Sequence, residues 1–401
     1  MFTQYLGWAA WGSKFVFPWE PGPQSGKFRE HGLTLLGAVV RFHFMRVRMA
    51  AGLVAFLIAL FASLMLVVPV RALALRVGMV DLPGPRKVHM RPIPLLGGLA
   101  IYGAVIGAVI IAALFAFDGP ARAQIAGILA GASVVAAVGI LDDRGLLHHQ
   151  VKLFVGMPIA AMILLFTGIH AQVFSVLVGG NLGYTLDAIL TIVWVVGITA
   201  SFSILDHMDG LCAGIAAVSA ASFALIAYLN GQTLVATLAA AILGASTGFL
   251  RWNFKPAKIF MGDGGAMFLG FLMATLGLKL RLVNPDHLAG WLVPVLILGA
   301  NIFDTTLVTI SRSRRGLLPF ATPGKDHTAH RLFNLGLGHR GSVISLYLLG
   351  AFSGAAALLV SYLPSHGAAI VGVIALALVF AGVAFLERAP YERQQKTPTP
   401  A

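Results

Sequence analysis

Six acidic residues stand where acids are expensive. Asp142, Asp143, Asp206, Asp209, Asp263 and Asp304 lie at the ends of hydrophobic segments. A carboxylate in or near hydrocarbon is costly and marks a functional site by default. Asp142 and Asp143 are adjacent in Gly-Ile-Leu-Asp-Asp-Arg144. They repel each other, and at a helix C-terminus they oppose the helix dipole. Binding a divalent cation or accepting a proton gives such a pair a purpose. Asp206 and Asp209 are three residues apart, so on a helix they share one face. Gly210 follows, and Asp-His-Met-Asp-Gly is poor helix sequence, so a break is expected there. Gly214, four residues on, permits close helix contact. Hard carboxylate oxygens suit Mg²⁺, which fills its remaining positions with water and phosphate oxygens.

Three further stretches could supply cations and hydrogen bonds. The first runs from Asp81 to Gly98 and holds Arg86, Lys87 and His89 among four prolines, which forbid a continuous helix. The second, Asn253 to Gly265, sets Asp263 between glycines at the start of an apolar run. Free N–H groups there would favour phosphate, with Asn253 and Lys258 adding polar contacts. The third holds Asp326, His327, His330 and Arg331. Two histidines at this spacing lack the further His or Cys ligands of a zinc site, so phosphate binding or proton transfer is the better reading.

The elements that must position these residues are membrane helices. Mean hydropathy is +0.88, and only 11% of residues are charged, against about 25% in soluble domains. A span needs roughly 20 mostly apolar residues, and about eleven such runs fall near 50–70, 95–117, 122–141, 152–168, 185–205, 211–229, 234–250, 264–280, 289–310, 343–362 and 368–386. The expected fold is therefore an all-α, polytopic integral membrane protein of about eleven transmembrane helices. It divides into an N-terminal extension (1–48), a transmembrane domain (49–388) and a short tail (389–401).

Net charge is +13, and its distribution gives orientation. Alternate loops carry Arg71, Arg76, Arg86, Lys87, Arg91, Arg144, Lys152, Arg251, Lys255, Lys258, Arg312, Arg314, Arg315, Lys325, Arg331 and Arg340. The other loops are nearly free of Lys and Arg, with Arg122, Lys279 and Arg281 as exceptions. The positive-inside rule places the rich set, and with it the acidic site, in the cytoplasm, and the N-terminus outside. Nucleic acid is excluded as a partner, because the charge lies in short loops between spans. Cys212 is the only cysteine, so no intrachain disulfide exists. The first 48 residues carry Arg29, Arg41, Arg46 and Arg48 and show no signal-peptide pattern. They read either as a membrane-surface segment or as sequence ahead of a start nearer Met45 or Met49.

In family order, the motifs are Arg86-Lys87-x-His89 with Ile-Pro-Leu-Leu-Gly-Gly, Leu-Asp142-Asp143-Arg144, Asp206-x-x-Asp209-Gly, Asn253-Phe-x-Pro-Ala-Lys-Ile-Phe-Met-Gly-Asp263, Phe303-Asp304-Thr and Asp326-His327-x-x-His330-Arg331-Leu. This set, over roughly 80–340, resembles the polyprenyl-phosphate N-acetylhexosamine-1-phosphate transferases, and most of all the bacterial undecaprenyl-phosphate N-acetylglucosamine-1-phosphate transferase branch. The resemblance implies a reaction between a UDP-N-acetylhexosamine and undecaprenyl phosphate that yields the lipid diphosphate sugar and UMP. It implies Mg²⁺, with Mn²⁺ as the alternative, and the bacterial inner membrane. By motif, Asp263 is the principal metal ligand, with Asp206 assisting. Asp142 and Asp143 serve the lipid phosphate, and Asp206 and Asp209 the nucleotide end or the metal. Lys87, His89, Asn253, Lys258, Asp304, His327, His330 and Arg331 bind substrate. Homodimers are common in such enzymes, but nothing in the chain demonstrates one.

Two departures stand out. Ser203 occupies a position usually Asn, and His207 one that is commonly Gly. Two rivals remain: a transporter of anionic metabolites, which would need polar groups near mid-membrane, and a CDP-alcohol phosphotransferase, whose Arg and later acids are missing after Asp209-Gly-Leu-Cys-Ala-Gly.

Overall fold

The computed structural model describes residues 26–82, 92–283, 287–318 and 324–391. The chain forms two units, Met1–Val47 and Arg48–Ala401; everything below concerns the second. Its helices are α1 (Ala50–Arg76), α2 (Gly97–Ala116) and α3 (Gly119–Asp143). A short α4 (His149–Val151) passes through a π-helical turn, Lys152–Gly156, into α5 (Met157–Phe166), and the single turn α6 (Phe174–Leu177) follows. Then come α7 (Gly180–Leu205), α8 (Leu211–Leu229), α9 (Thr233–Asn253), α10 (Gly262–Lys279), α11 (His287–Ile297), α12 (Gly299–Arg314), α13 (Thr328–Leu332), α14 (Gly338–Val360) and α15 (Ser365–Leu386).

The architecture is all-α and polytopic, as expected; the count of eleven spans is not confirmed. Among the described residues, eight helices are long and apolar enough to cross a membrane, or nine if one bent pair counts as a span. The three differences have physical causes. The 152–168 run yields only the short helix Lys152–Phe166. The 289–310 run breaks at Leu298, where α11 and α12 meet at 75°; Pro294 lies one turn before, and proline is the usual cause of a sharp bend. The 264–280 run is α10, whose glycines, Asp263 and Lys279 dilute its apolar character.

Helix α10 is the centre of the bundle. It packs against α2, α3 and α7, and nearly every residue from Gly264 to Leu278 is buried. Such burial all round requires close backbone approach, and two glycines provide it. A Cβ on Gly98 would collide with the backbone of Gly265, and one on Gly139 with the backbone of Asp263 and Gly264. Both contacts lie at the Asp263 end of α10, where any displacement would move that carboxylate. The proline-rich loop is closed at its base by antiparallel Val80–Asp81 and Ile93–Pro94. From there Phe260 N–H bonds the Pro94 carbonyl, and Gly97 and Gly98 N–H bond the Phe260 and Met261 carbonyls. The loop's Lys87 and His89 lie outside the described residues.

Candidate active site

Four of the six acids meet at one end of the bundle. Helix α3 delivers Asp142 and Asp143 at its C-terminus, the α7–α8 break delivers Asp206, and α10 delivers Asp263 in its first turn. Gly210 holds a left-handed φ of 81°, a conformation that glycine adopts without penalty. It lets the chain turn from α7 into α8 immediately after the acids, as Asp-His-Met-Asp-Gly led us to expect. Gly214 lies against Tyr347 with no room for a Cβ, and the Tyr347 hydroxyl bonds the Gly210 carbonyl.

The centre of the cluster is a cation that sequence reasoning had assigned to topology alone. Lys152 Nζ lies 2.6 Å from Asp142 Oδ2 and 2.6 Å from Asp263 Oδ2. It stands at the start of the π-helical turn, a distortion that recurs at functional sites. The signal was a lone lysine opening an apolar run ten residues after Asp142. Ser203 Oγ donates to Asp263 Oδ1 at 2.5 Å, so the residue that replaces the usual Asn still touches this carboxylate.

The adjacent acids divide their work. Asp143 spends both oxygens on backbone, accepting from Asp263 N–H at 2.8 Å and Gly264 N–H at 3.0 Å. Asp142 has no such commitment and faces Lys152. Asp206 accepts from the Gly262 N–H. The α10 N-terminus therefore does not present the free phosphate-binding N–H groups expected at Gly262, Asp263 and Gly264; carboxylates hold them instead. Burial, reinforced by Asp263, Asp143 and Asp209, pushes the Asp206 carboxyl up to about 8. Burial is the larger cause, and the neighbouring carboxylates add negative charge that a cation could share.

A second group surrounds His327. Its Nδ1 lies 2.9 Å from Asp304 Oδ2, while Asp304 Oδ1 accepts from Thr328 N–H at 2.7 Å. Asp304 is fully buried, and its two oxygens fix the histidine loop. The His207 ring stacks on His327 at 4.0 Å and lies 4.8 Å from His330. Burial first, then His327, hold the His207 imidazole well below its ordinary pKa, so it is neutral at physiological pH. His207, Asp304 and His327 bring one ligand atom each within 4.8 Å of one another, a grouping compatible with a divalent cation. Imidazole suits a transition ion such as Mn²⁺ better than Mg²⁺, whereas the carboxylates around Lys152 are hard ligands that fit Mg²⁺. Two of them share the Lys152 ammonium group.

The remaining expected site residues serve the frame. Asn253 Oδ1 accepts from Gly210 N–H at 2.9 Å and its Nδ2 donates to the Ile259 carbonyl at 2.9 Å, tying the α7–α8 break to the α9–α10 loop. Asp209 accepts from Ala257 N–H at 3.1 Å and pairs with Lys255 at 3.5 Å. Lys258 is exposed and lies over the Trp252 ring. Arg331 is wholly buried: it donates to the Asp326 and Leu386 carbonyls, Glu387 and Ser311, and stacks on Tyr391. Its guanidinium is committed to protein groups, which makes it a clamp between the histidine loop and the end of α15. Asp326, missed as a structural centre, is gripped by Arg312 and Arg315. Burial alone would raise its carboxyl, but the two guanidinium groups hold it at about 2.

Comparison with known proteins agrees with these motifs. Residues 125–281 match the family model described as Glycosyl transferase family 4. The chain is 37% identical over 306 residues to "Probable undecaprenyl-phosphate N-acetylglucosaminyl 1-phosphate transferase" of Bacillus subtilis, covering 76% of this chain and 83% of that protein. It is 33% identical over 365 residues to a decaprenyl-phosphate N-acetylglucosaminephosphotransferase of Mycobacterium tuberculosis, covering 84% and 87%. With the undecaprenyl-phosphate alpha-N-acetylglucosaminyl 1-phosphate transferase of Escherichia coli K12 it shares 28% identity over 307 residues, covering 73% and 79%.

Proposed function

The chain belongs to the polyprenyl-phosphate N-acetylhexosamine-1-phosphate transferases of the family 4 type, and from that premise we propose that it transfers N-acetylglucosamine 1-phosphate from UDP-GlcNAc to undecaprenyl phosphate. The observation that carries this reading is the meeting of Asp142 and Asp263 on Lys152, with Asp206 close to Asp263, at one end of the bundle. An oxygen of the lipid phosphate attacks the phosphorus that bears the sugar. The bond from that phosphorus to UMP breaks, and UMP leaves. Reaction between two anions needs positive charge and alignment.

Asp263, with Asp206 beside it, would hold the Mg²⁺. When bound, the ion offsets charge on the diphosphate and the leaving group. Asp142, free of backbone duties, faces the lipid phosphate and takes its proton. Asp143 fixes Asp263 by gripping the backbone at the start of α10, and Lys152 balances the carboxylates. His327 and His330, with Lys87 and His89 from the proline-rich loop, bind the diphosphate and sugar. Asp304 orients His327. Asp209 and Asn253 hold the walls of the nucleotide end, Lys258 lies at its rim, and Arg331 keeps the histidine loop in place. Arg144, Lys152 and Lys255 lie at this same end, which supports a cytoplasmic site in a bacterial inner membrane. The three relatives are transferases, which favours this reading over the transporter and CDP-alcohol ones.

The test is UMP release by purified protein with undecaprenyl phosphate and Mg²⁺, comparing UDP-GlcNAc, UDP-GalNAc and UDP-MurNAc-pentapeptide. Release with UDP-GlcNAc alone, abolished by EDTA, is expected. Release with another donor would overturn the sugar assignment, and silence with all three from folded protein would overturn the activity.

A further inference from the structure

Lys279 and Arg281 break the charge pattern of the chain, and the structure shows where they go. Helices α3, α9 and α10 carry the catalytic acids and Asn253 at one end; their opposite ends enclose a cavity of about 460 Å³. Gln124, Gly168, Gln232, Thr233, Lys279 and Arg281 are among its lining residues. That volume lies within the range of small-ligand sites.

The cavity is electropositive by construction. Lys279 Nζ donates to Gln124 Oε1 at 2.7 Å, which is a neutral acceptor. Arg281 uses Nη1 on the Leu278 and Leu280 carbonyls, capping α10. Its Nε and Nη2 have no protein acceptor among the described residues. Neither cation pairs with a carboxylate among those residues, although the two repel each other. Gln232 is spent on the backbone of Arg281, so α9 begins without a side-chain cap. The first-turn N–H groups of Thr233, Leu234 and Val235, three cavity-lining residues, have no intrahelical acceptor and add positive potential.

Capping α10 needs one cation and one carbonyl-facing nitrogen. It does not account for a second cation, an open cavity and a guanidinium edge with no acceptor among the described residues, on the face otherwise poor in Lys and Arg. We infer that this cavity binds a phosphate-bearing anion between Lys279 and Arg281, at the end of the bundle remote from the acidic site. Basic pockets between membrane helices on the cytoplasmic side bind anionic headgroups; this cavity offers the same chemistry at the other end, and Arg presents a fork suited to phosphate oxygens. The inference does not rest on the transferase reading.

Native mass spectrometry of the full chain, with phosphatidylglycerol or phosphatidylcholine added to detergent, reads the lipid arm. Thermal unfolding with and without inorganic phosphate reads the free-anion arm. The wild type should retain one more phosphatidylglycerol than phosphatidylcholine. Lys279→Gln with Arg281→Gln should weaken that retention at least about tenfold. Gln124→Glu keeps both cations and the α10 cap but supplies an internal carboxylate, so it should do the same; it decides the matter if the double variant fails to fold. A phosphate-dependent rise in unfolding temperature, lost in Gln124→Glu, would identify free phosphate as sufficient. Equal retention of both lipids by all three proteins, with no phosphate effect, would overturn the site and leave Arg281 a helix cap.

Discussion

The two ends of α3, α9 and α10 are built from opposite charges. At one end, acids outnumber the single lysine that joins Asp142 to Asp263; at the other, Lys279 and Arg281 line a cavity with no acidic partner among the described residues. The backbone follows the same division. At the acidic end, Asp143 and Asp206 take up the N–H groups that open α10. At the basic end the N–H groups that open α9 have no side-chain cap. One end is prepared for a cation and the other for an anion. Helix ends alone do not set this preference, since both sites include a helix N-terminus; the side chains that reach it do.

The largest test of this contrast is removal of the acids. Asp263→Ala and Asp142→Asn should each lower UMP release by about a thousandfold or more, with folded protein confirmed by gel filtration. Near wild-type turnover would remove that residue from the chemistry. Next is Lys152→Met, expected to cost on the order of a hundredfold in turnover because it leaves Asp142 and Asp263 unbalanced. An unchanged rate would mean that the ammonium leaves once the metal binds.

The pH dependence of metal binding follows in size. In cation-free protein the Asp206 carboxyl stands at about 8, against about 4 in an unfolded chain. The folded state therefore holds a proton that the unfolded state has lost, and this group erodes stability as pH rises from about 4 to about 8. A bound cation must expel that proton. Mg²⁺ affinity should climb with pH, by up to about tenfold per unit, and level off above 8. Calorimetric titration at several pH values measures it, and a flat profile would exclude Asp206 as a ligand. Ser203→Asn should stay within about tenfold of wild-type turnover, because a longer amide can still reach Asp263; a complete loss would mean that the site is built around serine. The smallest effect belongs to the other end. Lys279→Gln with Arg281→Gln should keep UMP release within about twofold, as expected for distant, uncoupled sites. A large loss would show that the two ends are coupled.

Much of the acidic end is legible in the chain. Carboxylates at the ends of apolar runs are too costly to be incidental, and glycine at 210 and 214 marks where the chain turns and where a helix is approached closely. Lys152 was harder to see, because a lysine beginning an apolar run also satisfies topology. The span count is not settled by hydropathy for a related reason. Apolar content measures what a segment can bury, but not whether lipid or protein surrounds it. Helix α10 is buried by its neighbours on every side and so carries more glycine than a lipid-facing span.

By itself, the sequence determined the membrane class, the motif order and the residue types of the site, because hydropathy and charge are local properties of the chain. Only the tertiary structure decided which partner each group takes. It gave Asp143 to the α10 backbone and left Asp142 free, turned Arg331 inward as a clamp, stacked His207 on His327 and gathered Lys279 with Arg281 around a cavity. Those outcomes depend on distances of a few ångströms between segments from about twenty to more than a hundred residues apart, and no local pattern encodes them.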